Sequence, residues 1–148
     1  MMRTVILTLA AAGLVGCGAT QSPESGARMV GVPASASLSV ADQWQARVIT
    51  LSLAERIADQ CYASGIALAP SPHSGAVHRA TQEMLAAGGD QATLDAAYQG
   101  QDFNAVSAGV EAYLGARGVT SDSTDALCRL GVDEIAQGTE VGKALMRT

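Results

Sequence analysis

Residues 40–62 read Val40-Ala-Asp-Gln-Trp44-Gln-Ala-Arg-Val48-Ile-Thr-Leu51-Ser-Leu-Ala54-Glu-Arg-Ile-Ala58-Asp-Gln-Cys61-Tyr62, and their apolar pattern decides the fold. Trp44, Val48, Leu51, Ala54, Ala58 and Cys61 recur at spacings of three and four, the period of one helix face. Ile49, Leu53 and Ile57 widen that face. Ser39 or Asp42 can cap the start, because a side-chain oxygen there accepts an unpaired backbone N–H. Cys61 closes the face and is placed to pin this helix to a later element.

The same reading continues on the C-terminal side. Ala69-Pro70-Ser71-Pro72 breaks the chain, since a proline disfavours helix in the residue before it. A second helix is expected over Ser74–Ala87 with Val77, Met84 and Leu85 inward, stopped by Gly88-Gly89. Asp90 opens a short third helix through Leu94 and Tyr98, and Gly100 interrupts it. A fourth covers Asp102–Arg117, with Val106, Val110, Tyr113 and Leu114 as its stripe and Gly118 as its stop. After a polar loop from Thr120 to Thr124, Asp125–Met146 carries Leu127, Leu130, Ile135, Val141 and Leu145 on helical spacing. Gly138 is a point at which it can divide. Alanine is abundant and no β-branched run has strand length, so no strand is expected. The expected fold is all-α, a bundle of about five helices spanning residues 39–148.

Upstream, Met1-Met2-Arg3 precedes an apolar run from Thr4 to Val15, too short to cross a bilayer as a helix. Leu14-Val15-Gly16-Cys17 resembles the lipobox of bacterial lipoproteins. The resemblance implies a signal peptide over 1–16, cleavage between Gly16 and Cys17, and attachment of acyl chains such as palmitate to Cys17. At about 0.8 kcal/mol per buried methylene, two or three chains hold a protein firmly. Gly18, where an aspartate tends to retain lipoproteins at the inner membrane, points to the outer membrane, facing the periplasm. Residues 17–38 are rich in Ser, Gly, Ala and Pro and read as a tether, with a root-mean-square span of roughly 25 Å for twenty residues.

Cleavage would leave 148 − 16 = 132 residues carrying 8 basic and 14 acidic side chains, a net charge of −6. That sign disfavours nucleic acid, whose binders need a basic face. Two cysteines would then remain, Cys61 and Cys128. In an oxidising compartment they form either a bridge across 128 − 61 = 67 positions or two buried free thiols.

Several blocks stand out together: Glu55-Arg-Ile-Ala-Asp-Gln-Cys61, Glu111-Ala-Tyr-Leu-Gly-Ala-Arg-Gly-Val119, then Cys128, Leu130-Gly-Val-Asp-Glu-Ile-Ala136 and Val141-Gly-Lys-Ala-Leu145. From about Ala54 to Leu145 the chain resembles a family of short, exported, helical bacterial proteins of unknown function with two cysteines. The resemblance implies an all-α domain and a Cys61–Cys128 bridge. It implies no activity.

No catalytic set emerges from the residues. His73 and His78, the only histidines, would lie about 140° apart on a helix, whereas ligands facing one metal from a single helix sit three or four positions apart. There is no CxxC pair, so neither metal nor cofactor is expected. Ser71 and Ser74 flank His73 without the strand–turn–helix context of a nucleophile. Asp122 with Asp125, and Asp133 with Glu134, read as acidic residues favouring the positive ends of helices. Gly138-x-x-x-Gly142 reads as close packing inside the domain rather than as a partner's contact.

The expected function is therefore a lipid-anchored periplasmic module, a binding or structural subunit of the cell envelope with an envelope protein as partner. The alternative is a carrier or sensor of a small ligand, with a pocket lined by Trp44, Tyr62 or Tyr98. An enzyme would need His73 or His78 near a carboxylate across helices, in a solvent-facing cleft. The sequence leaves the oligomeric state open.

Overall fold

The computed structural model describes residues 38–148. The expected signal peptide, Gly16, Cys17 and all but the last residue of the 17–38 segment lie outside the described residues. Helix α1, Val40–Cys61, starts at the Ser39 cap, whose Oγ accepts the Asp42 N–H at 3.1 Å. A 3-10 turn over Tyr62–Ser64 and a short strand β1, Ile66–Leu68, follow it. Helices α2 (Ala76–Ala86), α3 (Gln91–Gln99), α4 (Phe103–Gly115), α5 (Thr124–Gln137) and α6 (Glu140–Lys143) come next, and strand β2, Leu145–Arg147, ends the order.

Helix α1 is the axis of the domain and touches each of the other five helices. Val48, Ile49, Thr50 and Leu51 are four consecutive buried residues. A helix lying on a surface buries one stripe, so this run means that neighbours cover α1 all round. The widened apolar face in the sequence was the trace of that position. Thr50 offsets its own burial by donating to the Ala46 carbonyl at 2.9 Å.

Small residues set how near the neighbours come. A Cβ on Gly131 of α5 would stand 2.6 Å from Ile57 Cγ2, and one on Gly109 of α4 would stand 2.5 Å from Ile49 Cδ1. One turn before Gly131, Cys128 meets Cys61, and the two form a disulfide with Cα atoms 5.4 Å apart. The choice left open by the cysteine content thus falls on the bridge.

The C-terminal segment departs from expectation. Gly138, with φ at 62°, ends α5, so the run from Asp125 to Met146 is two helices and a strand. Strand β2 pairs antiparallel with β1, Ala67 opposite Met146, and the Thr148 N–H extends the ladder to the Gly65 carbonyl at 3.1 Å. Ile66 and Leu145 bury their side chains from this ribbon. Three residues are too few to show a two-residue alternation. Spacing therefore carried the helical pattern through Leu145, whereas the backbone bonds with β1 draw 145–147 out straight.

Candidate functional site

The loop 69–75 builds one side of a concave region on the domain. Pro70 and Pro72 fix two backbone angles, the Ala69 N–H is held by the Ala144 carbonyl at 2.8 Å, and Ser71 Oγ accepts the His73 N–H at 3.2 Å. Gly75, with φ at 78°, turns the chain into α2. A loop so tied is held in place before any ligand arrives.

Two grooves flank the first turn of α2, and both are lined by Glu55 of α1. One, of about 320 Å³, also contains His73, Ser71, Ser74 and Arg79. The other, of about 560 Å³, contains Ser52, Val77, His78, Thr81 and, at its α3 end, Tyr98. Each groove thus has one histidine and Glu55 in its lining, His73 from the loop and His78 from α2, and among the described residues no hydrogen bond or ion pair joins them. The imidazoles of His73 and His78 meet edge to face with ring centres 5.3 Å apart. The helix-spacing argument against this pair fails because His73 lies in the loop and is free of helical geometry. Among the described residues, no three His, Cys, Asp or Glu side chains group closely enough to hold a metal ion.

Tyr98, which lines the larger groove, meets Phe103 with ring centres 6.3 Å apart, and both are half-exposed. Trp44 packs beneath, its ring 6.4 Å from Tyr98 and its indole N–H donated to Thr81 Oγ1 at 2.9 Å. Of the three aromatics expected in a ligand pocket, Tyr98 alone lines this groove. Trp44 is fully buried in the core. Tyr62 is 70% exposed and lies 18 residues from Trp44, about 27 Å along the helix. Those two cannot face one small ligand.

Charge around the grooves is arranged unevenly. Burial, and then the Asp59 charge, raise the pKa of Glu55 above its usual 4.5, while the Ala76 N–H and Arg79 pull it back. Glu83 is also penalised by burial, but hydrogen bonds from Arg47 at 2.6 Å and Arg79 at 2.8 Å prevail and lower its pKa. Arg79 shares the Glu83 carboxylate with Arg47, so its charge is only partly balanced there and still acts on Glu55.

The upward displacement of Glu55 sets the sign of a pH effect. A carboxyl whose pKa is higher in the folded chain adds stability below its unfolded pKa, and that contribution disappears as pH rises through the folded value. Glu55→Gln is therefore expected to unfold at higher urea than the parent at pH 7, with the gap closing by about pH 4. Urea titrations at both pH values check this. A variant weaker than the parent at pH 7 would show that the contact with α2 outweighs the burial.

A second polar cluster joins α4, α5 and the start of α6. Glu134 is buried, and its Oε1 accepts the Tyr113 hydroxyl at 2.7 Å and Arg117 Nε at 2.9 Å. Its Oε2 accepts the Thr139 hydroxyl, which in turn accepts the Gly142 N–H at 3.0 Å. The Arg117 guanidinium stacks 3.5 Å above the Tyr113 ring. Burial and the Glu134 contact hold the Tyr113 phenol well above its ordinary range. Asp125 does sit in the first turn of α5, as the dipole argument expected, but Glu134 lies near the helix's other end. Its dipole reading is corrected: tertiary bonds, not the helix, stabilise this carboxylate. Gly142 completes the cluster, since a Cβ there would fall 1.9 Å from the Glu134 carbonyl oxygen. Of the Gly138-x-x-x-Gly142 pair, Gly142 alone is closely packed inside the domain; Gly138 has open space around it and serves as the left-handed stop of α5.

Residues 36–147 match a family of unknown function, DUF5333. Neither the curated proteins nor the solved structures give a match to the chain.

Proposed function

The chain belongs to the DUF5333 family of unknown function, and on that premise we propose that it is a lipid-anchored periplasmic module that docks an envelope protein through the Tyr98–Phe103 face. The observation that carries this reading is the exposure of two large aromatic rings in contact, one of which, Tyr98, lines a groove. Exposed aromatics of this kind supply much contact area at small entropic cost and are enriched at interfaces.

The surround of the face indicates the chemistry of the partner. Exposed Asp95 and Asp102 lie beside the rings, Asp95 one turn before Tyr98 on α3 and Asp102 next to Phe103 as the cap of α4. An apolar side chain flanked by lysine or arginine complements that surface, and the flanking charges raise the encounter rate. No helix among the described residues is long and apolar enough to cross a membrane. Lipid on Cys17, which the lipobox resemblance implies, supplies the membrane attachment in this reading. The groove volume of about 560 Å³ also suits a small ligand, which is the second reading.

Photo-crosslinking in intact cells separates these. A photoreactive residue in place of Tyr98 is expected to give one discrete protein adduct, and the same residue in place of Tyr62, exposed at the far end of α1, is expected to give none. Cys17→Ala is expected to abolish the adduct by releasing the module from the membrane. Equal labelling at both positions, or no protein adduct at Tyr98, would remove the docking reading. The latter result would favour the small ligand.

A further inference from the structure

We propose that His73 and His78 form a binding site for a divalent transition-metal ion of the zinc or copper type, beside the docking face in the groove that His78 and Tyr98 both line. Imidazole nitrogen suits these ions. The argument begins with distance. Two imidazoles on one tetrahedral zinc, each with a Zn–N bond of 2.0–2.1 Å, have ring centres about 5 Å apart. The centres of His73 and His78 are 5.3 Å apart. The rings stand edge to face, 83° between their planes, so binding an ion requires them to turn until a nitrogen of each faces it.

The second argument is pre-organisation. His78 is carried by the first turn of α2, and His73 by the loop that Pro70, Pro72, the Ser71 cap and the Ala69–Ala144 bond hold in place. Little ordering entropy remains to be lost when an ion binds, which is the condition for a two-ligand site to have useful affinity. The third is charge. Glu55 lines both grooves, Asp59 lies one turn further along α1, and the nearest cation, Arg79, is engaged by Glu83 at 2.8 Å. Glu55 is thus the carboxylate that both histidine-lined grooves share. Water completes the coordination, and the ion is open to solvent on the side of His78, which is exposed.

The test is titration of the full chain, disulfide intact, with zinc chloride in a non-chelating buffer, followed by calorimetry and by the histidine ring signals in NMR. One zinc per chain is expected, with the changes at both His73 and His78. Each of His73→Ala and His78→Ala is expected to weaken binding by about tenfold or more, because the partner ring alone lacks the chelate advantage. The double variant should bind none at this stoichiometry. Thermal unfolding of the variants without zinc, expected to match the parent, separates lost ligation from lost folding. Binding that survives the double variant, or no heat and no NMR change up to millimolar zinc, overturns the site.

Discussion

Replacing Cys61 and Cys128 together by alanine is expected to lower the unfolding free energy by about 4 kcal/mol, the entropy of closing a loop of this length. For a domain of about a hundred residues that corresponds to a fall in Tm of roughly 20 °C. The effect is large because the rest of the core is thin: Trp44 and Tyr113 are the only buried aromatics among the described residues, and many of the contacts with α1 are made by alanine and glycine. Serine at the same positions should cost more than alanine, since Cys61 is fully buried and a hydroxyl there has no partner in place. Urea unfolding of parent and variant, with and without reductant, checks the value. A loss below about 1 kcal/mol would mean that packing at Gly131 already holds α5 on α1.

Glu134→Ala is expected to cost about 3 kcal/mol. It strands the Tyr113 hydroxyl and the Thr139 hydroxyl and removes the counter-charge of Arg117. The figure stays below that for a fully buried ion pair because the Arg117 side chain is 34% exposed and can turn to water. Glu134→Gln keeps an acceptor for Tyr113 and should lose about half as much. If both variants unfold at the parent's urea concentration, the cluster contributes geometry and no stability.

How far these features could be read from the sequence depends on their range. The α1 period, the Ser39 cap and the Gly138 stop are local, each decided within a turn, and each was legible. The bridge was legible as one of two outcomes. The ribbon was not, because the pairing of Ile66–Leu68 with Leu145–Arg147 is a contact between segments some eighty residues apart, each too short for a pattern. The grooves failed for a related reason. Glu55 reads as one polar position on an amphipathic helix, and nothing local says that the loop before α2 will bring His73 alongside His78. Glu134 was misread because a carboxylate's neighbours in sequence do not reveal Tyr113, twenty-one residues away.

The placement of α1 at the centre has a consequence for how the chain comes to be folded. Synthesis runs from the N-terminus, so the helix that every other element needs emerges before any of them. Until α2 through α6 follow, Val48, Leu51, Leu53 and Ile57 have nothing to lie against. The contacts of α1 with α4, α5 and α6 close the largest loops and so form at the greatest entropic cost. For that interval the nascent chain presents a sticky apolar rod to its surroundings.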